Sequence, residues 1–349
     1  MKDVVIVGVG AQTAVGLTAA SSAAAVRAGV SGFSEDPAEL DQFGEPIIEA
    51  RVPEIEGDPA GTTRSGALAS LALREVLEVK DLPPLTLFLG LPEPRPGRAD
   101  DLERALTETL KRDPAIAAVN PLPAGHASGL LALEAGVKHL LEGRGEFCLI
   151  GGVDSYLAPD TLRWLDDNGQ LHTVKNAYGF VPGEAAGFCL LATRDAAQRH
   201  RLTCRVRVVS VASGRETNVL KSTSVCIGRG LTDVFRKALR GLPSEADRID
   251  RIICDMNGEP YRTDEYGFAG SRLARRFRDV SDFQAPADCW GDVGAASGPL
   301  HLALVAAGAD RGYARGRHYL LWGSSEGGDR GAAIVQPEPN PETTDGRDD

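Results

Sequence analysis

The sequence lacks the cysteine spacings that are typical of disulfide frameworks and zinc sites. Its six cysteines are scattered singly, and none belongs to a C-x-x-C pair. Isolated thiols in a chain of 349 residues are typical of a reducing compartment. We therefore expect no disulfide, no metal and no cofactor, and the cytoplasm is the predicted location.

Long apolar runs and an excess of positive charge are also missing. No apolar run approaches the roughly 20 residues that span a bilayer, and the opening MKDVVIVGVG predicts a first strand rather than a signal peptide. The net charge of −11 argues against nucleic acid and anionic membrane as partners. Aromatic residues make up only 5%, but the hydrophobic content of 42% is sufficient for a large core.

Two successive stretches of the chain contain a similar order of predicted elements. The first, residues 1–195, opens with an apolar strand and continues with an amphipathic helix over 61–78. The second, residues 200–336, opens with CRVRVVSVASG and closes with HYLLWGSSEGGDRGAAIV, which reads as a hairpin. Residues 337–349 carry no apolar side chain that could join a core and predict a disordered acidic tail.

A histidine stands at the start of one predicted helix, in the segment PAGHASGLL. His126 lies between glycine and alanine, and the helix is expected over residues 127–142. Its apolar positions are spaced by 3, 4 and 3 residues, which places them on one helical face: Leu130, Leu133, Val137 and Leu140. A tight turn of small residues before a helix is a known way of presenting a nucleophile.

Five segments, in order along the chain, resemble motifs of the β-ketoacyl-acyl carrier protein synthases of the thiolase superfamily. They are VVIVGVGAQTAVG, HASGLLALEAGVKHLLEGRGEFCLIGGVDS, GFVPGEAAGFCLL, GDVGAASG and SSEGGDRGAAIV. The resemblance covers nearly the whole chain. It implies an α/β fold in which two thiolase-like halves, residues 1–195 and 200–336, are related by a pseudo-two-fold axis and form a five-layer α-β-α-β-α sandwich.

The same resemblance implies a ligand and an assembly. The expected ligand is an acyl-CoA or acyl carrier protein thioester in fatty acid or polyketide biosynthesis. The expected assembly is a homodimer, or a pair with a related catalytic subunit, in which the strand before the nucleophile extends the sheet across the axis. The segment around IAAVNPLPAG (115–125) is apolar enough for this role.

The residues at the matched catalytic positions differ from those of the family. The family uses one cysteine and two histidines. The corresponding positions here are His126, Asn257 and, depending on one gap, Gly291 or Asp292. The expected pocket residues complete the site: Gly327 and Gly328 in the family's oxyanion loop, and Ser128 as a cap in the first helical turn.

These substitutions predict that condensation is lost. A cysteine at a helix N-terminus is favoured as a thiolate, whereas the same location favours the neutral form of an imidazole such as His126. An acyl-imidazole would also be labile to water. Asn257 can donate a hydrogen bond but supplies no charge, and Asp292 would repel a developing anion. The loss of such a donor costs on the order of 100–1,000-fold in rate.

Structural roles are the alternative for each of these residues. His126 could be a packed or hydrogen-bonded core residue, and Asp292 a helix cap or loop ligand. Cys254 and Cys289 could be replacement thiols or inert buried cysteines.

Two functions therefore stay open. One is a pseudoenzyme that binds an acyl thioester, a carrier protein or a partner subunit. The other is an acyltransferase or thioester hydrolase that uses His126 or a nearby thiol. A filled pocket at His126 would favour the first, and a closed apolar tunnel with an oxyanion hole the second.

Overall fold

The computed structural model of the protein describes residues 3–79, 82–220 and 222–338. The strands are β1 (Val4–Thr13), β2 (Ser34–Leu40), β3 (Pro46–Glu49), β4 (Leu85–Leu91), β5 (Ile116–Pro123), β6 (Phe147–Ser155), β7 (Glu184–Thr193), β8 (Val206–Arg215), β9 (Arg251–Cys254), β10 (Phe283–Gln284), β11 (Tyr319–Ser324) and β12 (Asp329–Pro337). The helices are α1 (Ala19–Ala28), α2 (Thr62–Val76), α3 (Leu102–Leu110), α4 (Ser128–Leu141), α5 (Pro159–Asp167), α6 (Arg194–Arg199), α7 (Arg229–Leu239), α8 (Pro260–Leu273), α9 (Ala287–Trp290) and α10 (Ser297–Asp310).

Ten of the strands form one hydrogen-bonded sheet that has the same internal order twice. In the first half the order is β1-β7-β6-β4-β5, and in the second it is β8-β12-β11-β9-β10. In each half, the second strand in this order runs antiparallel to its two neighbours, and the remaining pairs are parallel. The two halves join where β1 pairs with β8. The repeated order is the structural form of the two similar stretches in the sequence.

Helices cover both faces of each half of the sheet. Helices α2 and α3 pack on the outer side of the first half, and α7 and α8 on the outer side of the second. Helices α4 and α10 lie between the halves and share one apolar core with both. Strands β6 and β7 are covered on both faces, which explains why their sequences read as nearly continuous apolar runs. The predicted α/β fold is confirmed.

The two central helices begin with nearly the same five residues. GHASG leads into α4 and GAASG leads into α10, and a 3₁₀ turn precedes the helix in both cases. The helices approach each other through Gly129 and Gly298. A Cβ atom built on Gly129 would lie 2.4 Å from Cδ of Pro299, and one built on Gly298 would lie 3.0 Å from the Gly129 carbonyl carbon. This close contact places the two 3₁₀ turns together at the centre of the molecule.

The end of the described chain belongs to the sheet. Pro337, at the start of the predicted tail, still pairs with Val206, and the N–H of Glu338 donates to the carbonyl of Arg205. The rest of the predicted tail, residues 339–349, lies outside the described residues. Across the ranges described above, no helix combines the length and the apolarity needed to cross a bilayer.

The Gly129 contact can be tested with a matched pair of helical glycines. Gly129→Ala should destabilise the protein by roughly 1–3 kcal/mol, because the added methyl group overpacks the contact between α4 and α10. Gly267→Ala, in α8, should leave stability unchanged or raise it by up to about 1 kcal/mol, because a Cβ there meets nothing within 4 Å. The free energy of unfolding in urea measures both. Equal effects of the two substitutions would contradict the packing described here.

Candidate functional site

His126 lies in the 3₁₀ turn before α4 and is buried, with 3% of its surface exposed. Gly125 precedes it with a φ of +63°, a conformation that glycine adopts without strain. Hydrogen bonds connect this turn to the segment between β11 and β12. The N–H of Ala127 donates to Oγ of Ser325 over 2.8 Å, and the Ser325 hydroxyl donates to the carbonyl of Ala124.

The structure brings the three matched positions together. Nε2 of His126 lies 2.8 Å from Oδ1 and 2.9 Å from Oδ2 of Asp292. The amide of Asn257 donates to Oδ2 of Asp292 over 2.6 Å. The N–H of Gly294 donates to Oδ1 over 2.9 Å. Of the two positions that the sequence left open, Asp292 is the one that contacts His126. Gly291 instead packs against Ala50 and Gly183.

Arg262, on α8, is a site residue that the sequence analysis missed. Its Nη2 lies 3.1 Å from Nε2 and 3.4 Å from Nδ1 of His126. Its other nitrogens donate to Asp255 over 3.1 Å, to Glu259 over 3.2 Å and to the carbonyl of Ser324 over 2.7 Å. Only 1% of Arg262 is exposed. The sequence shows an arginine three residues after Glu259, but this spacing alone does not distinguish a buried ion pair from a solvated one.

The carboxylates around His126 determine its protonation. Burial and the Arg262 guanidinium both oppose a positive imidazole, but Asp292 and Asp255 outweigh them and raise the pKa of His126 above its usual 6.5. Burial also opposes the charge of Asp292, but His126, Arg262 and the Gly294 N–H hold the pKa of this carboxyl well below its usual range. The expectation of a neutral His126 was wrong in direction, because it considered the helix N-terminus and not a carboxylate in direct contact.

The predicted oxyanion glycines have other partners. The N–H of Gly327 donates to the carboxylate of Glu93 over 3.0 and 3.2 Å. Burial raises the pKa of Glu93, although His126 and the Gly327 N–H act in the opposite direction. The N–H of Gly328 donates to the carbonyl of Ser325 over 3.1 Å and closes the turn before β12. The carboxylate of Glu93 thus accepts the hydrogen bond from the Gly327 N–H that an oxyanion would otherwise accept.

Ser128 is fully buried at the first residue of α4 and does not cap it. Its Oγ has no hydrogen-bond partner among the described residues. A Cβ atom built on Gly90 would lie 2.7 Å from this oxygen, so the side chain packs against β4. The N-cap residue of α4 is Ala127, which has no side-chain acceptor.

A cavity of about 470 Å³ adjoins His126, and its walls carry many charges. His126, Tyr156 and Trp164 line it together with the charged residues Glu93, Arg95, Arg215, Glu326 and Asp329. Arg95 pairs with Asp154 over 2.5 Å and lies 3.9 Å above the Tyr156 ring. A wall of this composition is not the apolar tunnel that the enzyme hypothesis required.

The two candidate thiols are not activated. Cys254 is buried on β9, its Sγ lies 3.5 Å from the carbonyl oxygen of Gln284, and burial raises its pKa above the usual range. Burial also raises the pKa of Cys289, on α9. Neither environment favours the thiolate that a nucleophile requires.

Comparisons with known proteins match one segment of the chain to a family model. Residues 120–197 match the family described as "Beta-ketoacyl synthase, N-terminal domain". The segment contains His126, α4, β6 and β7. The sequence resemblance to the ketosynthases is confirmed for this segment. No curated protein matches the sequence.

Solved ketosynthase structures share the fold over nearly the whole chain. One, titled "AntDE:AntF (apo): type II PKS acyl-carrier protein in complex with its ketosynthase bound to the hexaketide", aligns with 96% of this chain and 99% of its own at 14% identity and a TM-score of 0.77. "The ishigamide ketosynthase/chain length factor" aligns over the same shares at 20% identity and a TM-score of 0.71. A module 6 ketosynthase of the Bacillus subtilis bacillaene synthase covers 96% of this chain and 72% of its own, at 12% identity and a TM-score of 0.79.

The Asp292–His126 contact predicts a shift that NMR can measure. Asp292→Asn should lower the pKa of His126, because the substitution removes an adjacent negative charge while burial and Arg262 continue to oppose the imidazolium. A ¹⁵N-histidine titration reports this pKa, with the signal assigned through His126→Ala. The signals of the other five histidines serve as internal controls. An unchanged His126 titration would contradict the arrangement.

The same pair contributes stability only within a pH window. The contribution of protonated His126 is fully present below 6.5 and is lost as the pH rises through its raised pKa. The contribution of ionised Asp292 is present above 3.8 and is lost as the pH falls through its depressed pKa. In the free energy of unfolding measured against pH, Asp292→Asn should remove the contribution of Asp292 and should weaken or reverse that of His126, because burial and Arg262 still oppose the imidazolium.

Proposed function

We propose that this protein is a non-condensing ketosynthase-like subunit that binds a carrier protein, an acyl thioester or a related catalytic subunit. The observation that carries the proposal is the environment of the His126 side chain. At the position where the family holds its nucleophile, this imidazole is buried, contacts Asp292 through Nε2 and faces Arg262. Such an arrangement is a structural ion pair and not a site that accepts an acyl group.

The chemistry of condensation supports this interpretation. Acyl transfer needs a nucleophile whose electron pair is directed at the substrate, but Nε2 of His126 faces Asp292 and the Arg262 guanidinium lies against both ring nitrogens. Decarboxylative condensation also needs donors for the enolate that develops. In this site the ionised Asp292 stands at one donor position, and the Asn257 amide at the other already donates to it. The N–H of Gly327 already donates a hydrogen bond to the carboxylate of Glu93. Each change removes stabilisation from the transition state.

The titles of the structural relatives support the partner part of the proposal. One describes an acyl carrier protein in complex with its ketosynthase, and another a ketosynthase together with a chain length factor. A ketosynthase fold without a functioning nucleophile fits a role in such an assembly as a binding or partner subunit of polyketide or fatty acid biosynthesis.

A hydrolase or acyltransferase is the second candidate, and the His126–Asp292 pair favours it. A histidine oriented by a carboxylate is a common general base, and the cavity gives it access to solvent. However, Nε2 faces Asp292 and Arg262 lies 3.4 Å from Nδ1. With both ring nitrogens occupied, the pair has no atom directed at a substrate water, so we favour the non-condensing role.

Intact-mass and turnover measurements distinguish the two candidates. We expect the purified protein, incubated with acetyl-CoA, malonyl-CoA or hexanoyl-CoA, to gain no covalent mass and to release neither CO₂ nor free CoA above the level of His126→Ala. The reason is that the ring nitrogens of His126 face Asp292 and Arg262 and not a thioester or a water. A rate more than about tenfold above this variant corresponds to about 1.4 kcal/mol of transition-state stabilisation and would support the hydrolase instead.

The edge of the sheet offers a surface for the expected pairing. In the described part of the chain, β5 pairs on one side only, with β4, and residues such as Ala117 and Asn120 are exposed along it. An edge strand with free backbone groups can extend a sheet into a second subunit. We propose that β5 pairs across a two-fold axis with a second copy or with a related catalytic chain.

Light scattering tests this assembly. We expect a mass of roughly 74 kDa at micromolar concentration, twice the 36.9 kDa of one chain. Ala117→Lys should shift the protein to the monomer, because an exposed lysine on an edge strand opposes strand pairing. Ala38→Lys, at another exposed alanine, is the matched control. A wild-type mass near that of one chain would exclude the homodimer.

A further inference from the structure

We propose that Glu216, Cys226 and Glu265 form a zinc-binding site. Glu216 directly follows β8, Cys226 lies in the loop before α7, and Glu265 lies on α8. One ligand atom from each side chain lies within 4.8 Å of the others, and within the described ranges this is the one such group of three. The site shares no residue with the cavity at His126.

Glu265 provides an independent reason to expect a cation. Its side chain is fully buried, and Oε1 accepts a hydrogen bond from Nε of Arg330 over 2.7 Å. Its Oε2 is buried and has no partner among the described residues. A buried carboxylate oxygen without a partner costs free energy, and proteins normally satisfy such atoms. A metal ion bound to Oε2 would remove this cost.

Glu216 is held in an orientation suitable for a ligand. Its Oε1 accepts from the N–H groups of Thr217 and Asn218 over 3.0 and 3.3 Å, and its Oε2 accepts from the N–H of Gly230 over 2.7 Å. Gly230 lies in the first turn of α7, whose dipole favours a negative charge. Each oxygen of Glu216 retains capacity for a further partner.

The combination of donors selects zinc over harder cations. Calcium and magnesium prefer oxygen ligands, whereas zinc binds thiolate and carboxylate together in a tetrahedral site. The ligand atoms of one zinc lie roughly 3.4–3.7 Å apart. The ligand atoms must therefore move closer together by up to roughly 1.1–1.4 Å. Cys226 lies in the irregular loop over residues 222–228, which gives it room to approach. Cys226 is only half-buried, so a water molecule can complete the coordination.

The charges balance when zinc is present. Two carboxylates and one thiolate leave the zinc site with a net charge of −1, which Arg330 offsets through its ion pair with Glu265. Arg330 also donates to the carbonyl of Ser325 over 2.6 Å, and Ser325 in turn accepts from the turn that holds His126. A metal at this site would therefore fix the loop before α7 and the segment that supports His126.

Metal titration of the full chain tests the proposal. After treatment with a chelator, we expect the protein to bind one equivalent of Zn²⁺, measured by competition with a chromogenic chelator and by elemental analysis after gel filtration. Co²⁺ should give the near-ultraviolet absorption band of a thiolate–cobalt bond. Cys226→Ser should abolish this band and weaken Zn²⁺ binding at least about 10–100-fold, the loss typical even of altered supporting residues.

Two further variants keep the test decisive. Cys204→Ser replaces another partly exposed cysteine outside the cluster and should bind Zn²⁺ and Co²⁺ like the wild type. Glu265→Gln should weaken binding to a similar extent as Cys226→Ser, with its fold checked by circular dichroism. Binding that survives Cys226→Ser, or no bound equivalent in the wild type, would overturn the proposal.

Discussion

The candidate site depends on one buried carboxylate, Asp292. An ionised carboxylate without partners cannot be held in a protein interior, and removing a partner from a buried pair typically costs about 3–5 kcal/mol. Asp292 is satisfied by His126, Asn257 and the Gly294 N–H. His126 comes from the first half of the chain and the other groups from the second. The charge pair therefore binds the halves together and also fixes the imidazole.

The pseudo-two-fold arrangement explains why this pair lies at the centre. The GHASG and GAASG segments introduce equivalent helices that meet through their glycines. In the second segment, Ala295 stands where the first has His126. The symmetric scaffold thus supports an asymmetric site, and the chemistry depends on which charged residues surround the one imidazole.

Arg262 converts a potential catalytic pair into a closed network. It joins His126 to Asp255 and Glu259 and accepts no hydrogen bond itself. In the proposed non-condensing role, Arg262 lies against both ring nitrogens of His126, where a general base needs one nitrogen directed at substrate. Buried carboxylates that come from separate segments of the chain require a positive charge nearby. Arg262 supplies this charge at the His126 site, and the metal ion would supply it at the proposed zinc site.

The sequence by itself determined the α/β fold class, and it predicted two similar stretches and matched positions at His126 and Asn257, because these depend on local apolar patterns and on contiguous motifs. It left open the choice between Gly291 and Asp292, and it missed Arg262, Glu93 and the Glu216–Cys226–Glu265 cluster. Only the tertiary structure decided these features, and it places carboxylates beside His126 that raise its pKa, against the direction expected from the helix N-terminus. The physical reason is that the energy of a buried charge depends on neighbours brought from 100 or more residues away, as Asp292 is to His126.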